Sequence, residues 1–358
     1  METKKRVEYI DALKGLCIIF TVYAHGVLIP DDSIIGNAFM TMCWGLVPSF
    51  FMASGSVLYQ KKEFRWKKHI QQLVTIYLGL VFWRFIYWLT YYLAGRVQLS
   101  KFEVLNYLFL LHDVEQIDTG VMWYMSVYLS VLLVYPITWF LFRGGRQGRQ
   151  ILVALMILIF CAELLVPSVQ WGLSNLFGTQ LFYLDSIASI FKPLNNGVMI
   201  LYTMLGAFWF EYRNKIEDKV SGKKRIVYPV CVVCGVIGLM FIKYKDFGSW
   251  AWEGKYEMYQ YVHVATLILT VGMYGLFASG LFRPVEHLLA RLFGRNTLGI
   301  YYMHYIVLAI FSWSVLYQIC MENYFVGMNM VKAVLVALLC AGVTMLMKKI
   351  PIIRKAVS

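Results

Sequence analysis

The chain has 358 residues, of which 60% are hydrophobic, 17% aromatic and only 15% charged, with a net charge of +13; its mean hydropathy is +0.62. Soluble domains are about 45–50% apolar and about 25% charged, so this composition excludes the two or three soluble domains that length alone suggests.

Apolar runs of about 17–25 residues recur along the chain, each long enough to cross ~30 Å of hydrocarbon. Ten are expected in order: 12–29, 38–59, 70–94, 121–142, 150–168, 196–211, 226–242, 259–281, 297–318 and 328–347. They are too long and too uniformly apolar for barrel strands, and irregular backbone cannot face lipid, so they are helices. The fold class is all-α: a polytopic integral membrane bundle of about ten transmembrane helices in one domain, 1–358. The stretch Trp171 to Asn196 mixes Gly, Ser, Asn and Asp and suits a re-entrant or surface helix.

The first run follows a basic start, but no small-x-small cleavage site comes after it, and Asp11 and Lys14 interrupt it. It reads as an uncleaved span. Ten spans put both termini on one side, and the segments assigned to that side hold 24 of the 33 Lys and Arg, against seven in the opposite loops. By the positive-inside rule the termini are cytoplasmic and the protein sits in the cell (plasma or inner) membrane. The positive charge then belongs to loops near anionic lipid and calls for no nucleic-acid partner.

The first span carries the most informative pair. Lys14 and His25 are eleven steps apart, which on a helix leaves them about 20° apart around the axis and about 16 Å apart along it. Ionisable groups in hydrocarbon cost at least ~2.5 kcal/mol each, so they line a polar interior and read as functional. Asp11 and Lys14 are i,i+3 neighbours able to pair. The plainer readings are a packed histidine and an interfacial lysine snorkelling to water.

Further along, Ser54-Gly55 in the second span suits close helix packing better than a nucleophile, since no His stands at helical spacing. Arg84 is mid-span and needs an internal partner, Glu163 or Asp185, or a substrate anion. His69 lies in a basic loop and is expected to be solvated, and His112-Asp113 is a minor acceptor-site candidate. Trp123 and Tyr124 open the fourth span; an aromatic belt explains them as well as a site does, and the same holds for Trp250, Trp252, Tyr256, Tyr259 and Tyr261. In the ninth span Asn296, Tyr301 and His304 suit a polar groove or helix–helix hydrogen bonding. The seven cysteines lie in or beside apolar spans, and Cys231-Val-Val-Cys234 has no second pair or nearby His, so no metal is expected.

Four stretches in order then resemble the membrane acyltransferase family 3, polytopic O-acyltransferases of cell-surface sugars. They are Tyr9-Ile-Asp-Ala-Leu-Lys-Gly-Leu with His25, Pro48-Ser-Phe-Phe-Met-Ala-Ser-Gly55, Met122-Trp-Tyr-Met125, and Asn296-Thr-Leu-Gly-Ile-Tyr-Tyr-Met-His304. The resemblance implies transfer of an acyl group, acetyl first among candidates, from acyl-CoA to a hydroxyl of a cell-surface or lipid-linked carbohydrate. His25 would be the general base, with a free pKa near ~6.5, and Lys14, with Asp11, would meet a CoA phosphate. Trp123, Tyr124, Tyr301, His304, Asn296 and Arg84 would line substrate. The implied partners are the lipid bilayer, acyl-CoA as co-substrate with no bound cofactor, and a carbohydrate acceptor; the oligomeric state is left open.

There are departures from the family pattern. Lys14 stands where Arg is commoner, no proline lies near Tyr77-Leu78, no Glu follows the Trp-Tyr pair, and no esterase-like domain is present. A transporter or flippase for surface polysaccharide or lipid-linked glycan stays open as the alternative, because polar residues within spans suit both.

Overall fold

A computed structural model describes residues 7–28, 33–177, 197–220, 222–250, 261–325 and 327–357. Among the described residues the secondary structure is helical. α1 (Glu8–His25) starts after extended Val7, and Glu8 and Asp11 in its first turn complement the helix dipole. α2 (Ile34–Leu58) starts at Ser33, whose hydroxyl accepts the Gly36 N–H at 2.9 Å. α3 (Trp66–Leu93) follows, then the short α4 (Lys101–Leu108), held by a Ser100/Glu103 capping box. A 3₁₀ turn, Gly120–Met122, leads into α5 (Trp123–Arg143).

α6 (Gly145–Phe160) continues through a π turn, Cys161–Leu165, into α7 (Val166–Phe177). Next come α8 (Gly197–Val220) and α9 (Lys224–Phe247), then α10 (Val264–Ala278) and α11 (Arg283–Leu292). A second 3₁₀ turn, Gly294–Asn296, opens α12 (Thr297–Ser312), followed by α13 (Val315–Glu322), α14 (Met328–Met347) and α15 (Pro351–Arg354).

Six of these stretches are long and apolar enough to cross a membrane unaided, and seven if α10 and the α11–α12 segment, bent by 100°, count as one span. The expected ten are therefore not reached by length and composition. α1 carries three charges in 18 residues, α8 turns polar after Phe210, and α10 and α12 are short. α1 and the first half of α8 are nonetheless largely buried, so protein rather than lipid surrounds them. The part of 171–196 beyond Phe177 lies outside the described residues.

α1 is the hub. It packs on α2, α10, α11, α12 and α14. It touches α11 and the Gly294–Asn296 turn backbone to backbone: a Cβ on Gly294 would collide with the Asp11 carbonyl, and one on Gly15 with the Leu289 carbonyl of α11. Two backbones in contact fix α1 against the start of α12, the two elements that carry most of the candidate residues. α2 and α8 touch in the same way, with Gly55 against the Thr203 carbonyl and Gly206 against that of Met52.

Candidate active site

A cavity of about 930 Å³ runs along α1, walled by α2, α3, α5 and the start of α12. α1 lines it with Asp11, Lys14, Ile18, Thr21 and His25, spaced three and four residues apart so that they fall on one face. Lys14 and His25 thus share a wall, as their spacing requires.

The N-terminal end of α1 forms a basic, polar arm. Lys14 and Asp11 share the lining with Lys68 of α3, Arg295 of the 3₁₀ turn, and Gln60, Gln71 and Gln72. Arg295 reaches this arm because Gly294 lies directly on α1. The turn is also tied from outside, where Lys348 Nζ donates to the Arg295 carbonyl at 2.6 Å and to Asn296 Oδ1 at 2.9 Å.

The rest of the cavity is aromatic. Tyr124 and Tyr128 stack with ring centroids 6.3 Å apart, and Ser54 lines the cavity with them. The Tyr301 hydroxyl donates to the Val121 carbonyl at 2.5 Å. That bond draws the 120–122 turn into the bundle and places Trp123 and Tyr124 in the cavity wall. An aromatic belt at the membrane surface does not describe these two residues.

At the C-terminal end of α1, His25 lines the cavity and its Nδ1 lies 3.1 Å from Nε2 of His304. His304 is fully buried, and its Nδ1 is 3.1 Å from the Ile300 carbonyl. A carbonyl only accepts, so His304 Nδ1 carries a proton; neutral His304 then presents an Nε2 lone pair to the Nδ1–H of His25. In this neutral chain His25 keeps its own Nε2 lone pair. The Tyr305 ring stands edge-on to His25, with centroids 5.7 Å apart, and its hydroxyl donates to Asp118.

Of the residues expected at the site, Asp11, Lys14, His25, Trp123, Tyr124 and Tyr301 line this one cavity. His304 stands behind His25 and touches it. Asn296 is 3% exposed and bonds the Leu292 carbonyl and Lys348, outside the lining. Arg84 is also elsewhere: it pairs with Asp113, donates to the Tyr107 carbonyl at 2.6 Å and stacks on the Tyr107 ring. Neither suggested acid is seen to be its partner, since Glu163 accepts the Val198 N–H at 2.9 Å and Asp185 lies outside the described residues. His69 is 4% exposed, packed against Phe64 and Tyr135, and so is not a solvated loop residue.

Lys68, Gln71, Gln72 and Arg295 also line the cavity, though none of them is singled out above. The signal was present: Lys68, Gln71, Gln72 and Thr75 follow i, i+3, i+4, i+7 spacing on an apolar helix, a polar stripe that must face something other than lipid. Trp44 lines the cavity too, and one indole in an apolar run carries no such mark. Among the described residues no group of three His, Cys, Asp or Glu side chains is gathered to hold a metal.

The fold and this cavity define a polytopic helical membrane protein with an interior chamber, basic at one end and imidazole-bearing at the other. The acyltransferase 3 family model, described as an acyltransferase domain, matches residues 7–348, and the chain belongs to that family. It is a membrane acyltransferase. No curated protein and no solved structure gives a match.

Proposed function

We propose that the protein moves an acyl group, acetyl first among candidates, from acyl-CoA to a hydroxyl of a cell-surface or lipid-linked carbohydrate. The observation that carries this reading is the cavity itself, which joins three cations at one end to a hydrogen-bonded imidazole at the other. The donor enters from the cytoplasm, the side on which the positive-inside rule would set the N-terminus. Its phosphates meet Lys14, Lys68 and Arg295, and its thioester arm extends along α1.

The acceptor hydroxyl approaches His25. As its oxygen attacks the thioester carbonyl, its proton passes to the Nε2 lone pair of His25 and a tetrahedral oxyanion forms. Collapse breaks the C–S bond, the ester leaves on the sugar, and the imidazolium returns its proton to the CoA thiolate. His304 holds the imidazole in the tautomer that leaves Nε2 basic and takes part in no bond change. The Nδ1–H to His304 link also stabilises the imidazolium while it exists.

The test compares the masses of surface glycans from cells with and without the protein. The reading predicts a set of glycans heavier by one acyl group only when the protein is present. Identical glycan masses, together with no consumption of acyl-CoA by the purified protein, contradict it.

A further inference from the structure

We infer that the apolar lobe of the cavity around Trp44 is the pocket for the donor's acyl group, and that the Trp44 indole sets the acyl chain length. This rests on the donor reading above. Trp44 lines the cavity together with Met40, Cys43 and Val47 of α2 and Trp123 and Tyr261 from facing elements. Lobes that recognise sugars present carboxylates or amides beside their aromatic rings; the described residues named here offer alkyl, sulfur and aromatic surface together with indole N–H and phenol groups, a mostly apolar wall that suits an alkyl chain.

The wall is built to stay in place. Trp44 is 4% exposed and meets Tyr261 edge-on, with ring centroids 5.1 Å apart; Tyr261 in turn packs on Trp123 at 5.7 Å. The backbone beneath the indole is pinned too. The carbonyl of Gly45 accepts from Thr270 of α10 at 3.1 Å and from Ser49 at 2.8 Å, which ties this turn of α2 to α10. Cys43 Sγ adds a 3.3 Å bond to the Phe20 carbonyl of α1. Interlocked rings on a doubly anchored backbone do not yield to a longer chain without loss of packing.

The experiment measures dissociation constants of acetyl-CoA and octanoyl-CoA for the full chain in detergent, as wild type, Trp44→Ala and Trp44→Phe. Wild type is expected to favour acetyl-CoA by at least about tenfold, the cost of forcing extra methylenes into a packed wall. In Trp44→Ala that ratio falls to near one or reverses, and Trp44→Phe lies between. If Trp44→Ala does not fold, the Phe variant carries the test through the same ratio. Equal binding of both acyl-CoAs by wild type, or a ratio unmoved in the folded variants, overturns the chain-length assignment while leaving the donor reading intact. Binding of neither acyl-CoA by wild type overturns the donor reading, and this inference falls with it.

Discussion

At the scale of single residues, the proposed mechanism divides one task between His25 and His304. His25 lines the cavity and His304 is buried behind it, so in the proposed reaction His25 is the one placed to meet substrate. His304→Ala removes the acceptor for His25 Nδ1–H and frees the ring to turn, so turnover falls by about 10²-fold, the usual cost of misplacing a catalytic group, while the KM for acyl-CoA stays put. His304→Gln, whose amide oxygen can accept the same bond, is expected to recover part of the rate. A loss spread equally over KM and kcat, with no rescue by Gln, would count against the positioning role. At the other end, Lys68→Ala and Arg295→Ala each weaken acyl-CoA binding by about tenfold, the value of one charge-assisted contact, measured as Kd at low salt. Unchanged Kd in both would remove the phosphate arm from the account. The Lys14 and His25 relation was legible because eleven helical steps leave two side chains on one face whatever the tertiary structure. The His25–His304 contact was not, since it joins residues 279 apart in the chain.

At the scale of helices, contacts between backbones decide where the site residues lie. α2 and α8 meet through Gly55 and Gly206, each against a carbonyl of the other helix. Gly206→Leu must push α8 off α2, at a cost of about 1–3 kcal/mol of overpacking, seen as a lower midpoint of thermal unfolding in detergent. An unchanged midpoint would mean that the two helices separate freely. The small residues at Ser54-Gly55 mark a close helix approach in the sequence, but nothing local specifies which helix makes it. The fate of Trp123 and Tyr124 was likewise illegible. Belt and cavity wall have the same composition, and it takes the tertiary bonds of Tyr301 to Val121 and of Tyr305 to Asp118 to show that turn drawn inward. The third helix was the reverse case. Its stripe at 68, 71, 72 and 75 was readable from spacing alone, but a lysine and two glutamines at the end of an apolar run look like a loop edge until the facing cavity is seen.

At the scale of the whole molecule, an imbalance of 24 to seven in Lys and Arg between the two sets of loops sets the proposed orientation, with the basic arm of the cavity open to the cytoplasm. Single cysteines placed at Lys62 and Lys101, in a background lacking the seven native cysteines, test it. A membrane-impermeant thiol reagent added to whole cells is expected to label position 101 and to spare position 62. The opposite pattern would turn the cavity around and remove acyl-CoA from its basic end. The number of spans was the least legible property at this scale. A hydropathy reading counts what lipid would accept, whereas α1 and the first half of α8 are largely buried by other helices. The central claim remains that an imidazole on α1 takes a hydroxyl proton while a thioester breaks beside it. Its most direct measurement is the rate of CoA release from acetyl-CoA by purified protein supplied with its glycan acceptor. The account predicts that His25→Ala lowers this rate by about 10²–10⁴-fold, the contribution of a positioned general base, with acetyl-CoA still bound; a folded His25→Ala protein that turns over at the wild-type rate would contradict it.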